Sequence, residues 1–155
     1  MGTVLVVDDE RAILKLIEAN LRLENFQVIT AMDGLQALEQ VREKRPDLII
    51  LDIMMPHMDG WQVLQQLRQD EELRDIPVVV LTARTGDADI IRGWELGADD
   101  YITKPFSPLA LVKTVQMVLK QSPEERRARR EREIVRAQLL HRLHTPTERG
   151  SGPSL

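Results

Sequence analysis

Residues 46–60 read PDLIILDIMMPHMDG: four consecutive apolar residues, Leu48 to Leu51, closed by the carboxylate of Asp52 and followed by a loop running to Asp59-Gly60. An apolar run of this length without alternation marks a strand buried on both faces, the kind found in parallel sheets covered by helices. Similar runs stand at Val4 to Val7 and Val78 to Leu81, the second entered by Pro77, and shorter strand signals at Gln27 to Ala31 and Tyr101 to Thr103. Helical patterns fill the gaps. Residues 11–23 space Ile13, Leu16, Ile17 and Leu21 for one helix face, Leu35 to Glu43 forms another, and Asp59-Gly60 opens a third ahead of Val63, Leu64 and Leu67. Residues 87–96 end at Gly97, and Ser107-Pro108 caps a fifth pattern with Leu109, Val112, Val115, Val118 and Leu119. Five strand-helix units with short connections predict an α/β fold, a doubly wound five-stranded parallel sheet within residues 1–121.

Composition narrows the function. The 155 residues suffice for one domain of ordinary size and not for two. The absence of cysteine removes disulfide scaffolds, thiolate metal sites and thiol nucleophiles. No apolar run reaches the roughly 20 residues of a membrane span, and the start Met1-Gly2-Thr3 lacks the basic region of a secretion signal. A cytosolic chain without membrane contact is expected. The formal charge of -4 speaks against a chain devoted to neutralising nucleic-acid phosphates. That mean conceals an acidic stretch up to residue 121 and a basic one beyond it.

In doubly wound sheets, ligands bind outside the carboxyl ends of the strands. Asp8 and Asp9 follow the first strand, Asp52 the third, Thr82 the fourth, and Lys104-Pro105 the fifth. Taken singly, an Asp-Asp pair is commonly a helix cap, Thr82 a turn residue and Lys104 a solvated charge. Taken together, three carboxylates on one edge repel one another unless a cation intervenes. An all-oxygen donor set suits magnesium rather than zinc. A metal and a lysine around a carboxylate are what phosphoryl transfer requires, because that chemistry is mostly positioning and charge neutralisation. Asp52, ending a central strand before an open loop, is the carboxylate expected to be attacked. Such a site is modified covalently; it does not turn over an external substrate.

The chain resembles the receiver domain of two-component response regulators over residues 3 to about 121. The resemblance rests on VLVVDDE at 4–10, PDLIILDIMMPHMDG at 46–60, PVVVLTA at 77–83 and GADDYITKPF at 97–106. It implies a flavodoxin-like strand order 2-1-3-4-5, Asp52 as phosphoacceptor, and magnesium held by Asp8, Asp9, Asp52 and the main-chain carbonyl of Met54. It further implies Lys104 as the phosphate-binding ammonium, a cis peptide at Pro105, and Thr82 and Tyr101 as a switch pair. Met54 and Arg84 stand where the family tunes phosphate lifetime. The implied partner is a sensor histidine kinase or phosphotransfer protein, and the implied output surface is helix 4, strand 5 and helix 5. The sequence looks most like receivers joined to winged-helix domains, which dimerise through that surface. Asp99 and Asp100 suit such a homodimer, but Lys113 and Lys120 are the only cations of the fifth helix.

Beyond Gln121, Ser122-Pro123-Glu124-Glu125 predicts a new helix start, and nine of the ten residues from Glu124 to Glu133 are charged. Residues 122–144 are expected to form a charged amphipathic helical extension, with Glu125 and Arg129 paired at i,i+4 and a stripe of Val135, Leu139 and Leu143. Residues 145–155 are expected to be disordered. The extension has three readings: a solvated helix, a helix that binds a partner or a second copy, or a basic contact for nucleic acid, the last weakened by interleaved glutamates. Direct DNA binding is not expected, because these 34 residues are too few for a winged helix. His57, His141 and His144 read as surface histidines. The competing function is a receiver-fold scaffold indifferent to phosphate, disfavoured because Asp9, Asp52, Thr82 and Lys104 are all present. An aspartyl phosphatase would need an acid where Met54 stands.

Overall fold

The computed structural model describes residues 2–83 and 86–144. In chain order the elements are β1 (Thr3–Val7), α1 (Arg11–Leu23), β2 (Gln27–Ala31), α2 (Gly34–Lys44), β3 (Leu48–Asp52) and α3 (Gly60–Gln69). They continue with β4 (Val78–Thr82), α4 (Asp87–Leu96), β5 (Asp100–Thr103), α5 (Pro108–Lys120) and α6 (Pro123–His144). All strand pairs are parallel, in the order β2-β1-β3-β4-β5. The expected doubly wound sheet is therefore present, in the implied order. Residues 145–155 and Arg84 lie outside the described residues.

The three central strands explain why this architecture holds. Val4–Val7, Leu48–Leu51 and Val78–Leu81 are fully buried, since each alternate side chain enters one of two cores. Leu5, Val7, Ile49, Leu51, Val78 and Val80 pack against α2 and α3 through Leu38, Val41, Leu64 and Leu67. Val4, Val6, Leu48, Ile50, Val79 and Leu81 pack against α1 and α5 through Leu14, Ile17, Leu111 and Val115. Each such side chain contributes about 1.5–3 kcal/mol relative to exposure. Leu16 and Leu109, counted in the helical patterns, are instead exposed, and Leu14 and Leu111 take their places.

Helix boundaries follow local chemistry. Asp59 caps α3 through a reciprocal box, its Oδ1 accepting from Gln62 N–H and its own N–H donating to Gln62 Oε1, both at 3.0 Å. Ser107 caps α5 ahead of Pro108. Ser122 and Glu125 form the corresponding box at α6, with Glu125 N–H donating to Ser122 Oγ at 3.0 Å and Ser122 N–H donating to Glu125 Oε1 at 2.8 Å.

Helix α6 forms where the extension was expected, and of the three readings left open for it a fully solvated helix does not fit, because it turns back and packs antiparallel against α4. Ile90 and Trp94 of α4 and Ala137 and Leu140 of α6 line the seam between them. The stripe of Val135, Leu139 and Leu143 faces away and is more than half exposed. Glu125 and Arg129, spaced for an i,i+4 pair, also turn elsewhere, Glu125 to the cap and Arg129 to Asp100. An apolar stripe is a poor guide here because arginines make much of the contact.

One tight approach fixes the loop after β3. A Cβ at Gly60 would stand 2.7 Å from Ile53 Cα, well inside van der Waals contact, and Gly60 N–H donates to Ile53 O at 2.9 Å. Gly60→Ala is expected to lower unfolding stability by about 1–3 kcal/mol, read as a shift of the urea midpoint at unchanged slope.

Candidate functional site

The carboxyl edge of the sheet gathers side chains from β1, β3, β4 and β5. Asp8 follows β1 and is fully buried. Its Oδ1 accepts from Glu10 N–H at 2.8 Å, which closes a turn and leaves Oδ2 facing Lys104. Asp52, the last residue of β3, is buried to 2% exposure and accepts from Met54 N–H at 3.2 Å. Lys104, just beyond β5, places Nζ 2.9 Å from Asp8 Oδ2, 3.6 Å from Asp52 Oδ2 and 3.7 Å from Glu10 Oε1. The Lys104-Pro105 peptide is cis, as the resemblance implied.

Thr82 ends β4 and is buried. Register places it one residue past Leu81, the partner of Asp52, and opposite Thr103 on β5. Its carbonyl accepts from Lys104 N–H at 2.9 Å, so the main chain ties β4 to the lysine directly. Asp9 is exposed at the rim, where a cleft lined by Ile53, Met54, Pro56 and Trp61 adjoins it. The site residues singled out from the sequence on strands β1, β3, β4 and β5 thus meet at one edge. Tyr101 stands apart: its hydroxyl lies 3.2 Å and 3.1 Å from the carbonyls of Asp89 and Ile90 in α4, and its ring lies 5.6 Å from that of Trp94. His57 is exposed in the loop after β3.

One residue went unassigned in the sequence. Glu10 lies beside Lys104 and, with Asp8 and Asp9, brings a carboxylate oxygen within 4.8 Å of the others. The signal was present as the third acid of the Asp8-Asp9-Glu10 run. Glu10 precedes α1, which begins at Arg11 where the sequence places it, and only the fold brings Lys104 to this loop residue.

Electrostatics distinguish the groups. Burial pushes the Asp52 carboxyl up to about 6; Asp8 adds to the rise, Lys104 and the Met54 N–H oppose it, and Asp9 adds a little more. Burial works to lower the Lys104 ammonium, but its hydrogen bond to Asp8 and the charges of Asp52, Asp8 and Glu10 outweigh that and raise it. Burial also raises the Tyr101 phenol, with Asp89 nearby. The donors fit a hard divalent cation: they are oxygens only, the chain has no thiolate, and, among the described residues, the carboxylates of Asp8, Asp9, Glu10 and Asp52 share an edge with the single ammonium of Lys104.

Comparison with known proteins agrees with this geometry. The model of the response regulator receiver domain matches residues 4–116. The chain is 46% identical over 119 residues to the alkaline phosphatase synthesis transcriptional regulatory protein PhoP of Bacillus subtilis, covering 77% of this chain and 49% of that protein. It is 45% identical over 122 residues to the DNA-binding response regulator MtrA of Mycolicibacterium paratuberculosis, covering 79% and 53%. Among solved structures, the chemotaxis response regulator CheY4 of Vibrio cholerae aligns with a TM-score of 0.73 at 35% identity, covering 76% of this chain and 98% of that one. The receiver domain of Francisella response regulator 1452 aligns with a TM-score of 0.73 at 34% identity, covering 77% and 98%. The chain spans about half the length of PhoP and of MtrA. No described helix is long and apolar enough to cross a membrane.

The Asp52 carboxyl generates a stability prediction. Its folded value of about 6 lies above the unfolded 3.8, so the folded chain binds the proton more tightly, and ionised Asp52 opposes folding. That cost is absent below pH 3.8, grows as pH rises through 6, and reaches the order of 3 kcal/mol above it. In metal-free buffer, Asp52→Asn is expected to raise the melting temperature at pH 8 and to lose most of that gain at pH 4. Equal gains at both pH values would contradict the assignment.

Proposed function

Because the chain belongs to the response regulator receiver family, we propose that it is a phosphorylation-dependent switch of a two-component system whose phosphoacceptor is Asp52. The reading is carried by one observation: a buried carboxylate at the end of the central strand, with an elevated affinity for protons and a lysine ammonium 3.6 Å away. The phosphoryl donor is a sensor histidine kinase or a phosphotransfer protein.

The chemistry follows from those groups. At pH 7 a carboxyl held at about 6 is mostly ionised, and an Asp52 oxygen is therefore a competent nucleophile toward phosphorus. The new bond joins that oxygen to phosphorus while the bond from phosphorus to the donor's imidazole nitrogen breaks, its electron pair returning to the ring. Lys104 neutralises charge on the phosphoryl oxygens, and the Thr82 hydroxyl, at the end of the neighbouring strand, donates to one of them. Asp8, Asp9, Asp52 and the Met54 carbonyl would hold magnesium, which supplies further neutralisation of the equatorial oxygens. Glu10, beside the same lysine, adds to the negative field that draws the cation in. The reverse step, attack by water on the aspartyl phosphate, resets the switch, so the chain catalyses its own modification and no other turnover.

Residues 1–121 form the receiver unit in this reading, and 122–144 a helical extension belonging to its output. Tyr101, bound to α4 and packed on Trp94, relays the state of Thr82 to the surface of α4 and β5. A phosphate-independent scaffold has no observation in its favour, since it gives no reason for a buried carboxylate beside a lysine.

Incubation with radiolabelled acetyl phosphate and magnesium, or with a phosphorylated kinase, is expected to label the chain in an acid-stable, base-labile form. Asp52→Ala should abolish the label, while Lys104→Ala and Thr82→Ala should slow its appearance by about 100–1,000-fold, the range for removal of one transition-state contact. Unchanged labelling in Asp52→Ala would overturn the assignment.

A further inference from the structure

The second concentration of buried charge lies away from the phosphoacceptor, where α6 meets β5. Asp99, the residue before β5, is 2% exposed and accepts from Val78 N–H at 2.8 Å. Three guanidinium groups converge on it: Arg68 of α3 at 2.9 Å, and Arg126, at 3.5 Å, and Arg130 from α6. Arg129 reaches Asp100 Oδ2 and the Asp99 carbonyl, both at 3.1 Å, and lies over the ring of Trp94 at 5.6 Å. Arg126 also donates to the carbonyls of Gln121 and Asp75, both at 2.8 Å. Farther along, Ala137 and Leu140 meet Ile90 and Trp94, and His141 Nδ1 lies 3.6 Å from Asp87 at the first residue of α4. The helix thus straps the full length of α4 and seals the acids at the start of β5.

This contact is poised rather than fixed. One carboxylate faces three guanidiniums, and burial, with Arg130 and Arg126 alongside, brings Arg68 down to about 10 even though Asp99 opposes the fall. Helix α6 has nine charged residues in its first ten after Pro123, so away from its seat it is well solvated. Its seat is also wired to the phosphoacceptor. β5 is only four residues long, with the strap's acids at its start and Lys104 just past its end. Between them stands Tyr101, whose ring packs on one side of Trp94 while Arg129 lies over that same indole.

We propose that α6 is a built-in occupant of the α4–β5 face, held by Arg126, Arg129 and Arg130 on Asp99 and Asp100, and that phosphorylation of Asp52 releases it and frees that face for a second protein. The trigger rests on the reading of Asp52 given above; the strap itself does not. An aspartyl phosphate carries close to two negative charges where the ionised carboxylate carried one, a gain of about one beside Lys104, which now sits nearer Asp8 than Asp52. Drawing Lys104 toward Asp52 pulls on β5 and disturbs the Tyr101–Trp94 wall on which Arg129 rests. Reciprocity requires that whatever loosens α6 also favours the phosphorylated state. A partner for the freed face presents basic side chains to the acids that α6 now covers.

Hydrogen exchange of the full chain, read by mass spectrometry, tests both parts. In the unmodified chain the amides of residues 126–140 should be protected, because most of a helix's stability in a protein comes from the face it packs. Arg129→Gln with Arg130→Gln should speed their exchange by about tenfold or more, with β1 and β3 unchanged, and lysine at both positions should restore protection. Equal α6 exchange in the unmodified and double-glutamine chains would overturn the strap. Magnesium with beryllofluoride, an aspartyl-phosphate mimic, should slow exchange at residues 52–58 and quicken α6. Slowing at 52–58 with α6 unmoved would overturn the trigger. No slowing at 52–58 would overturn the Asp52 reading, and the trigger with it.

Discussion

Complete burial of β1, β3 and β4 is the constraint on which the rest of this molecule depends. Strands covered on both faces have no solvated side on which to place a polar residue, so the chain can change chemistry only at their ends. Asp8, Asp52 and Thr82 stand where the apolar runs stop, and parallel pairing brings those stops to one edge. The site is therefore a consequence of how the core is made. It is also a costly one, because it concentrates negative charge where water is scarce. The elevated Asp52 carboxyl and the raised Lys104 ammonium are two sides of that crowding.

A second charge cluster, around Asp99, inverts this arrangement. At the edge that holds Asp8 and Asp52, carboxylates outnumber the cation; at Asp99, guanidiniums outnumber the carboxylate. The two lie at opposite ends of β5, and each carries an excess of one sign of charge. A short strand joining two unbalanced clusters is a reasonable place for a signal to pass, since a change of charge at one end alters what the other must accommodate.

Much of the architecture was legible in linear order. Unalternating runs ending in Asp8, Asp52 and Thr82 announced buried strands with polar ends, and caps at Asp59, Ser107 and Ser122 announced the helices that follow. Glu10 was less legible, because its place at the site depends on Lys104, far along the chain, arriving beside it. Helix α6 was legible as a helix and illegible as a contact. Its visible stripe of Val135, Leu139 and Leu143 faces solvent, while the buried contact is made largely by arginines that composition reads as solvated. Hydrophobic periodicity detects apolar burial and is blind to long cationic side chains seated on a buried acid.

Local pattern alone therefore specified the strands, most helix boundaries, the fold class and the residues that end each strand, because burial on two faces and capping chemistry are written into neighbouring residues. Tertiary structure alone specified the distances among Asp8, Asp52 and Lys104, the shifted proton affinity of Asp52, the inclusion of Glu10, and the docking of α6 on α4 and β5. Those properties arise from residues far apart in the chain, such as Arg68, Asp99 and Arg130, whose charges acquire meaning only when folding excludes water between them.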